Sequence, residues 1–180
     1  KHGLATAQKK DSTGICFIGE RNFRDFLLKY IPAKKGKIMT YDGRVLGEHL
    51  GLMYYTIGQR RGLGIGGQKD DDGSRWFVIE KDLKNNILYV AHGAEDRLYS
   101  KGLIMKTCNW IPSVPKEKRF ECTGKFRYRQ PEQGCIVNIL EDRIEVEFKE
   151  KQRAITEGQF AVFYDGDKCI GGGVIEQAIF

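Results

Sequence analysis

Cys16 is the side chain of this chain whose type and setting best suit covalent chemistry. It lies in the segment KDSTGICFIG, residues 10–19, where turn-forming polar residues lead into a short apolar run. A helix is predicted directly after it, and a helix N-terminus favours the thiolate, which is the reactive form of cysteine. The alternative is that Cys16 is a small buried apolar residue, which is the commoner role of a free cysteine.

The helix after Cys16 is predicted from the spacing of its apolar residues. They recur at i, i+3, i+4 and i+7, as in an amphipathic helix, and are Phe23, Phe26, Leu27 and Tyr30. Pro32 pushes the residue before it out of the helical region, so the helix should end near residue 30. We therefore expect a helix over about residues 20–30, with Cys16 just before its start.

A second candidate site is the basic segment KFRYRQ at residues 125–130. Side chains alternate between the faces of a strand, so a strand over about 119–129 would have one basic and one aromatic face. The basic face would carry Lys125, Arg127 and Arg129, and the other face Phe126 and Tyr128. A basic row makes salt-dependent phosphate contacts, and a tyrosine at the strand end can stack on a base. The alternative is a half-buried barrel strand whose solvated face is positive.

The glycine-rich loop GQRRGLGIGG, residues 58–67, is a third candidate. Its glycines match G-x-G-x-x-G, but a dinucleotide site needs a helix to begin there, and residues 68–74 form an acidic turn without an apolar face. We favour a flexible loop that brings Arg60 and Arg61 close to a phosphate chain. A turn with two solvated arginines fits the residues equally well. The aspartates at 70–72 are interpreted as solvated surface, and no metal site is predicted.

Short segments rich in β-branched and aromatic residues make up most of the remaining chain. Strands are predicted at about residues 37–41, 44–47, 53–57, 76–79, 87–90, 103–110, 119–129, 135–140, 143–148, 159–164 and 168–176. Asp-Gly at 42–43 predicts a hairpin, and the polar residues 94–102 predict a boundary. The predicted fold is mainly β. A linker with Cys16 spans 1–19, a small β domain with a leading helix spans 20–95, and an antiparallel β-barrel spans 96–180.

Charge and cysteine usage narrow the class of protein. The 180 residues carry a formal net charge of +6, which permits attraction to a polyanion, and residues 116–129 hold six basic side chains against two acidic ones. Five cysteines without a CxxC pair argue against a zinc site and a secreted disulfide framework, and they favour a reducing, cytoplasmic compartment. His49 and His92 have no second ligand at metal-binding spacing. The sequence has no apolar run of about 18 residues, so no membrane-spanning helix is predicted.

Several long motifs of the chain occur together, and in this order, in one enzyme family. They are KDSTGICFIGERNF, GEHLGLMYYTIGQRRGLGIGG, KFRYRQP, QRAITEGQFAVFYDGD and CIGGGVIE. Over nearly all of its length the chain resembles the tRNA-specific 2-thiouridylases, which replace oxygen with sulfur at C2 of the wobble uridine. The first motif is similar to the segment that links the catalytic domain of those enzymes to the rest of the chain.

The resemblance implies roles for individual residues. Cys16 matches the family cysteine that carries the terminal persulfide sulfur. A partner cysteine lies in the ATP-binding domain of the family. After sulfur transfer the two cysteines form a disulfide, which must be reduced. Tyr128 and Arg129 match a Tyr-Arg pair in the part of the family that meets tRNA, and Gln159 matches another position near the tRNA. The expected tRNA-binding set is completed by Arg60, Arg61, Lys125 and Arg127.

The resemblance also implies cofactors and partners. The family binds ATP with Mg through a Ser-Gly-Gly-x-Asp-Ser loop and adenylates the uridine. This sequence has neither that loop nor a match for the partner cysteine, and it begins with Lys1 rather than Met. We therefore expect the back half of the enzyme, without a bound cofactor and inactive by itself. The implied partners are tRNAs with Lys, Glu and Gln anticodons and a persulfide donor, either a sulfur-relay protein or a cysteine desulfurase.

Two other functions are compatible with the residues. One is a non-catalytic RNA-binding β module, in which Cys16 is structural and the basic segment carries the function. The other is a protein-docking module resembling translation-factor barrels. Fast alkylation of Cys16 would favour the enzyme, and strong salt dependence of tRNA binding would favour RNA over protein as the partner.

Overall fold

The chain is seen in a computed structural model that describes residues 23–66, 75–93, 96–128 and 130–180. Cys16 and Arg129 lie outside the described residues, as do the linker predicted at 1–19 and the acidic turn predicted at 68–74. The chain divides into two units, residues 1–33 and residues 34–180. The three-part division made from the sequence stays a prediction.

The first unit contributes one described helix, α1 (Phe23–Leu28), which lies inside the predicted range of 20–30. The amides of Tyr30 and Ile31 both donate to the carbonyl of Leu27 and so close the last turn. The helix is shorter than predicted because Pro32 disfavours helical backbone at the residue before it. Positions 20–22 of the predicted helix lie outside the described residues.

Four strands of the second unit form a small mixed sheet in the order β2-β1-β4-β3. They are β1 (Gly36–Met39), β2 (Val45–His49), β3 (Trp76–Asp82) and β4 (Ile87–His92). The pairs β1–β2 and β3–β4 are antiparallel, whereas β1 runs parallel to β4. The predicted turn at 42–43 is confirmed, with Gly43 at φ +90°, a conformation that glycine adopts without a steric penalty.

The strand predicted at residues 53–57 is wrong. Leu52–Tyr54 form a single 3₁₀ turn, and the extended Tyr55 that follows is buried in the core of the small sheet. The aromatic residues here therefore fill the core instead of pairing in the sheet. The chain then reaches the edge of β3, where the amide of Gly58 donates to the carbonyl of Val78 at 2.7 Å.

Within the described residues, eight further strands form a curled antiparallel sheet in the order β12-β5-β9-β8-β7-β10-β11-β6. They are β5 (Tyr99–Met105), β6 (Asn109–Trp110), β7 (Arg119–Lys125), β8 (Gln133–Ile139), β9 (Ile144–Arg153), β10 (Phe160–Asp165), β11 (Lys168–Val174) and β12 (Gln177–Ile179). The strand predicted at about 103–110 begins earlier, because Tyr99 and Ser100 already pair with β9, and the boundary at 94–102 stays a prediction.

Alternation along these strands builds one core inside the curled sheet. Val137 on β8, Val146 on β9 and Phe163 on β10 are fully buried, while their neighbours along each strand face outward. The mainly β fold class predicted from the sequence is confirmed. In the part of the chain that the structure describes, no helix is long and apolar enough to cross a membrane.

Candidate nucleic-acid interface

The basic segment at residues 125–130 does not continue strand β7. The strand ends at Lys125, and Phe126 turns into the core, where it is fully buried 4.6 Å from the ring of Phe148. A hydrogen bond from the amide of Gln130 to the carbonyl of Arg127 then closes a turn. The predicted strand over 119–129 is therefore wrong beyond Lys125, because the chain turns there to return as β8 at Gln133.

The side chain of Tyr128 is exposed to solvent, whereas that of Phe126 lies in the core. Its side chain is 69% exposed, whereas that of Phe126 is 0% exposed. The prediction that these two rings share a face is wrong, because the turn reverses the alternation after Lys125. An exposed tyrosine on a turn can stack on an unpaired base.

Among the described members of the predicted basic set, Lys125 has contacts that compete with a ligand. Its ammonium lies 3.5 Å from Oε1 of Glu132 and 5.3 Å from the ring centre of Tyr164. Both contacts compete with an incoming phosphate. Lys125 and Arg127 are therefore not equivalent members of one basic row, contrary to the prediction.

Arg127 connects the curled sheet to the loop of the small sheet. Its Nη2 donates to the carbonyl of Ile57 at 3.3 Å. The side chain is half-buried, and burial followed by the charge of Arg153 lowers the pKa of the Arg127 guanidinium. The loop that carries Arg60 thus begins beside the basic turn, a proximity that spans 70 residues of sequence.

The end of β9 meets the same loop. A Cβ placed on Gly58 would lie 2.7 Å from Cβ of Ala154, 3.4 Å from Nη1 of Arg153 and 3.6 Å from Nη1 of Arg127. Gly58 has φ +80° and Ala154 φ +57°, so both backbones at this contact are in the left-handed region. Arg153 was not among the binding residues predicted from the sequence, although it lies in the motif QRAITEGQFAVFYDGD, because its position beside Arg127 arises only through this contact.

A hydrogen bond between the side chains of Gln130 and Gln152 joins the turn after β7 to the end of β9. Nε2 of Gln130 donates to Oε1 of Gln152 at 2.7 Å, and Gln152 is buried. Oε1 of Gln130 is itself buried without a hydrogen-bond partner. This pair ties the turn after β7 to the end of β9, two residues after Tyr128 and directly before Arg153 in sequence.

Gln159 belongs to the turn that Ala154 begins. The hydroxyl of Thr156 donates to the carbonyl of Ala154 at 3.0 Å, and the amide of Gln159 donates to the carbonyl of Thr156 at 3.2 Å. The side-chain Oε1 of Gln159 is buried and has no hydrogen-bond partner. Because an unpaired buried acceptor costs free energy, this atom is suited to a donor brought by a ligand.

Arg60 and Arg61 are exposed, which both sequence interpretations of the glycine-rich loop require. Arg60 lines an open cavity of about 370 Å³ together with Arg75, Trp76 and the glycines of the loop. Nε1 of Trp76 is buried there without an acceptor. The cavity is thus lined by two cations and an unpaired N–H donor, a set that suits an anion.

The structure therefore brings several of the predicted residues to one region and leaves others undescribed. Arg127, the loop leading to Arg60 and the turn leading to Gln159 meet through contacts around Gly58. Cys16 and Arg129 lie outside the described residues. Among the described residues, no cluster of three or more His, Cys, Asp or Glu could hold a metal ion.

Two family models match the chain. The tRNA methyl transferase PRC-barrel domain matches residues 24–92, and the aminomethyltransferase beta-barrel domain matches residues 100–175. Among curated proteins, the tRNA-specific 2-thiouridylases MnmA of Streptococcus thermophilus and Streptococcus pyogenes are each 59% identical over 177 residues, which is 98% of this chain. Over 98% of its length the chain is therefore similar to the tRNA-specific 2-thiouridylases.

The matched portion is not a whole family member. The alignment covers 48% of each of these relatives, so the chain spans about half the length of the curated relatives it matches. The boundary between the two matched models, residues 93–99, falls at the start of β5, where the curled sheet begins.

Proposed function

We propose that this chain is the C-terminal part of a tRNA sulfurtransferase that converts the wobble uridine to 2-thiouridine. The observation that carries the proposal is the 59% identity to 2-thiouridylases across 98% of the chain. The proposal includes a tRNA-binding surface with half-buried guanidinium groups and an exposed tyrosine, which are groups that contact phosphates and bases.

Cys16 is assigned the sulfur-carrying role. In this mechanism ATP adenylates the uridine at the C2 oxygen, and the terminal sulfur of a Cys16 persulfide attacks the C2 carbon and displaces AMP. The partner cysteine of the other half then attacks the Cys16 sulfur, which releases the thiolated tRNA and leaves a disulfide. A cellular thiol reductant must reopen that disulfide before a persulfide donor reloads Cys16.

The tRNA surface is assigned to the two turns and the glycine loop. Tyr128 is proposed to stack on a base, Arg127 and Arg129 to hold phosphates, and Gln159 to accept a hydrogen bond from the RNA. Arg60 and Arg61 extend the basic surface along the loop. Lys125 contributes least, because Glu132 already neutralises it.

The remaining components belong to the rest of the enzyme. ATP and Mg are proposed to bind the half of the relatives that this chain does not span. The substrates are proposed to be tRNAs with Lys, Glu and Gln anticodons, and the sulfur donor a relay protein or a cysteine desulfurase. The compartment that fits this chemistry is the cytoplasm.

The decisive experiment joins this chain to the N-terminal half of the Streptococcus thermophilus relative. Wild type, Cys16→Ser and Cys169→Ser are compared for 2-thiouridine formed and for tRNA affinity. We expect Cys16→Ser to abolish thiolation and leave tRNA affinity within about twofold, while the control Cys169→Ser, at an exposed cysteine, retains both. Thiolation that survives in Cys16→Ser would contradict the proposed role of Cys16.

The same experiment tests the RNA-binding module as the alternative. The described residues of the candidate interface carry groups suited to binding, which is what a non-catalytic module needs. If the joined protein thiolates equally with and without Cys16, the chain is such a module. We expect the isolated chain to bind tRNA without forming 2-thiouridine from ATP and a persulfide donor.

A further inference from the structure

Arg127 and Arg153 place two guanidinium groups around one point of the backbone. Both Nη1 atoms lie within 3.6 Å of the position that a Cβ on Gly58 would occupy. The two arginines come from the turn after β7 and from the last position of β9, so three separate segments create this arrangement. The same point lies 2.7 Å from Cβ of Ala154, so only glycine at position 58 allows the loop to approach both arginines this closely.

Neither guanidinium has a carboxylate partner among the described residues. Arg127 donates to the carbonyl of Ile57, and Arg153 lies over the ring of Phe77 at 4.6 Å. Arg119 and Arg143, in contrast, each bond to a carboxylate, Glu147 and Glu145 respectively. Both guanidinium groups are half-buried, and their like charges repel each other. Burial, and after it the charge of Arg153, lowers the pKa of the Arg127 guanidinium.

We propose that the guanidinium groups of Arg127 and Arg153 together hold one phosphodiester of a bound RNA. This inference rests on the proposed function and assigns a binding role to Arg153 that the sequence did not indicate. A phosphate offers several oxygens that accept charge-assisted hydrogen bonds of about 2.8 Å, so it can bridge two guanidinium forks at this separation. Its negative charge removes the repulsion between them.

Neighbouring groups fit an RNA strand better than a free anion. Tyr128 follows Arg127 directly and is exposed, so a base next to the held phosphate can reach its ring. Gln159 lies on the turn that begins at Ala154, next to Arg153, and presents an unpaired acceptor. Phosphate, base and sugar contacts are therefore available from adjacent residues.

The test compares two variants that remove the same charge. Arg153→Gln is measured against Arg143→Gln, which removes an arginine already paired with Asp142 and Glu145. The affinity of each protein for tRNA is measured by fluorescence anisotropy over a range of salt concentrations. We expect Arg153→Gln to weaken binding about tenfold and to reduce the slope of log K against log salt by about 1, as the loss of one phosphate contact does. Arg143→Gln should remain near wild type.

A further variant and the salt dependence distinguish a phosphate contact of Arg153 from its packing on Phe77. Arg153→Lys keeps the charge and the packing stem, so it should bind between wild type and Arg153→Gln. If Arg153→Gln loses affinity without a change of slope, Arg153 acts through packing on Phe77, and the proposal is overturned. Equal behaviour of Arg153→Gln and Arg143→Gln would also overturn it.

The wild-type curve tests the proposed function separately. Absence of tRNA binding by wild type would refute the RNA-binding part of that function and this inference together, whereas binding that is indifferent to Arg153 would refute only the inference. In the last comparison, the thermal stability of wild type is measured with and without inorganic phosphate at matched ionic strength. If phosphate raises the thermal stability of wild type while Arg153→Gln binds tRNA normally, the pair is a free-anion site and the proposal fails.

Discussion

The described cysteines differ widely in access and in acidity. Burial raises the pKa of Cys108 to about 11, and Cys135 is completely buried. Cys122 opposes Cys135 on the neighbouring strand with 3.6 Å between their sulfur atoms, whereas Cys169 is exposed. Reactivity towards an alkylating reagent should therefore separate these residues.

Alkylation near neutral pH is expected to label Cys169 well before Cys108 and Cys135. At a pKa of about 11 in place of 9.0, Cys108 has about 100-fold less thiolate available. If Cys16 carries sulfur, it should react faster than all four, with an apparent pKa below about 8.5. Mass spectrometry of peptides after timed iodoacetamide treatment measures the order. Labelling of Cys16 more slowly than Cys169 would favour the structural role for Cys16.

His49 is buried at the end of β2 and is held by a single hydrogen bond. Its Nε2 lies 3.1 Å from the carbonyl of Asn86, so Nε2 carries the proton of the neutral ring. Nδ1 is buried and has no partner. Burial lowers the pKa of His49 from its ordinary value of 6.5, although the bond to Asn86 acts in the opposite direction.

The folded protein should lose stability as the pH falls below 6.5. Because the folded pKa of His49 is below the unfolded value, the unfolded chain takes up the proton first, so this contribution is complete above pH 6.5 and declines towards the folded pKa. Replacement of His49 by Gln should flatten the dependence of the free energy of unfolding on pH below 6.5. Urea unfolding at several pH values measures this dependence, and His92→Gln is the control. An unchanged slope in His49→Gln would contradict the assignment.

At the scale of elements, the most consequential contact is the one between the loop at Gly58 and the turn after β9. The loop is fixed to β3 by a hydrogen bond from the amide of Gly58 to the carbonyl of Val78. The other side of Gly58 touches Ala154, whose amide donates to the carbonyl of Leu98 at 2.6 Å. This contact joins the two sheets where the candidate interface lies.

Gly58→Ala is expected to destabilise the protein by about 2–4 kcal/mol. The new methyl group would meet Cβ of Ala154 at 2.7 Å, and the backbone is at φ +80°, so steric overlap and backbone strain combine. Gly43→Ala is the matched control, since Gly43 has φ +90° but nothing within 4 Å of an added Cβ. It should cost only about 1 kcal/mol. Chemical denaturation measures both, and equal losses would show that close approach at Gly58 is unimportant.

At the scale of the whole molecule, the described interface residues all lie in the unit that spans 34–180. That unit contains both sheets and both of their cores. The first unit contains Cys16, which the proposal needs for sulfur transfer. Binding and chemistry are therefore assigned to different units of the chain.

Removal of residues 1–33 should consequently separate the two activities. We expect a variant spanning 34–180 to unfold within about 3 °C of the full chain and to bind tRNA within about threefold, because its cores and its interface are retained. Calorimetry and anisotropy measure these quantities. A large loss of tRNA affinity in a folded variant would assign a substantial share of the binding surface to residues 1–33.

The sequence by itself determined the periodic features and the family. Alternating apolar residues predicted most strands, Asp-Gly predicted the turn at 42–43, and the motifs predicted the 2-thiouridylase family, because each of these signals is local in the chain. Tertiary structure decided the rest. It ended β7 at Lys125, where the chain turns back towards β8, and it brought Arg153 to Arg127. Such contacts join residues far apart in sequence, and no local pattern encodes them.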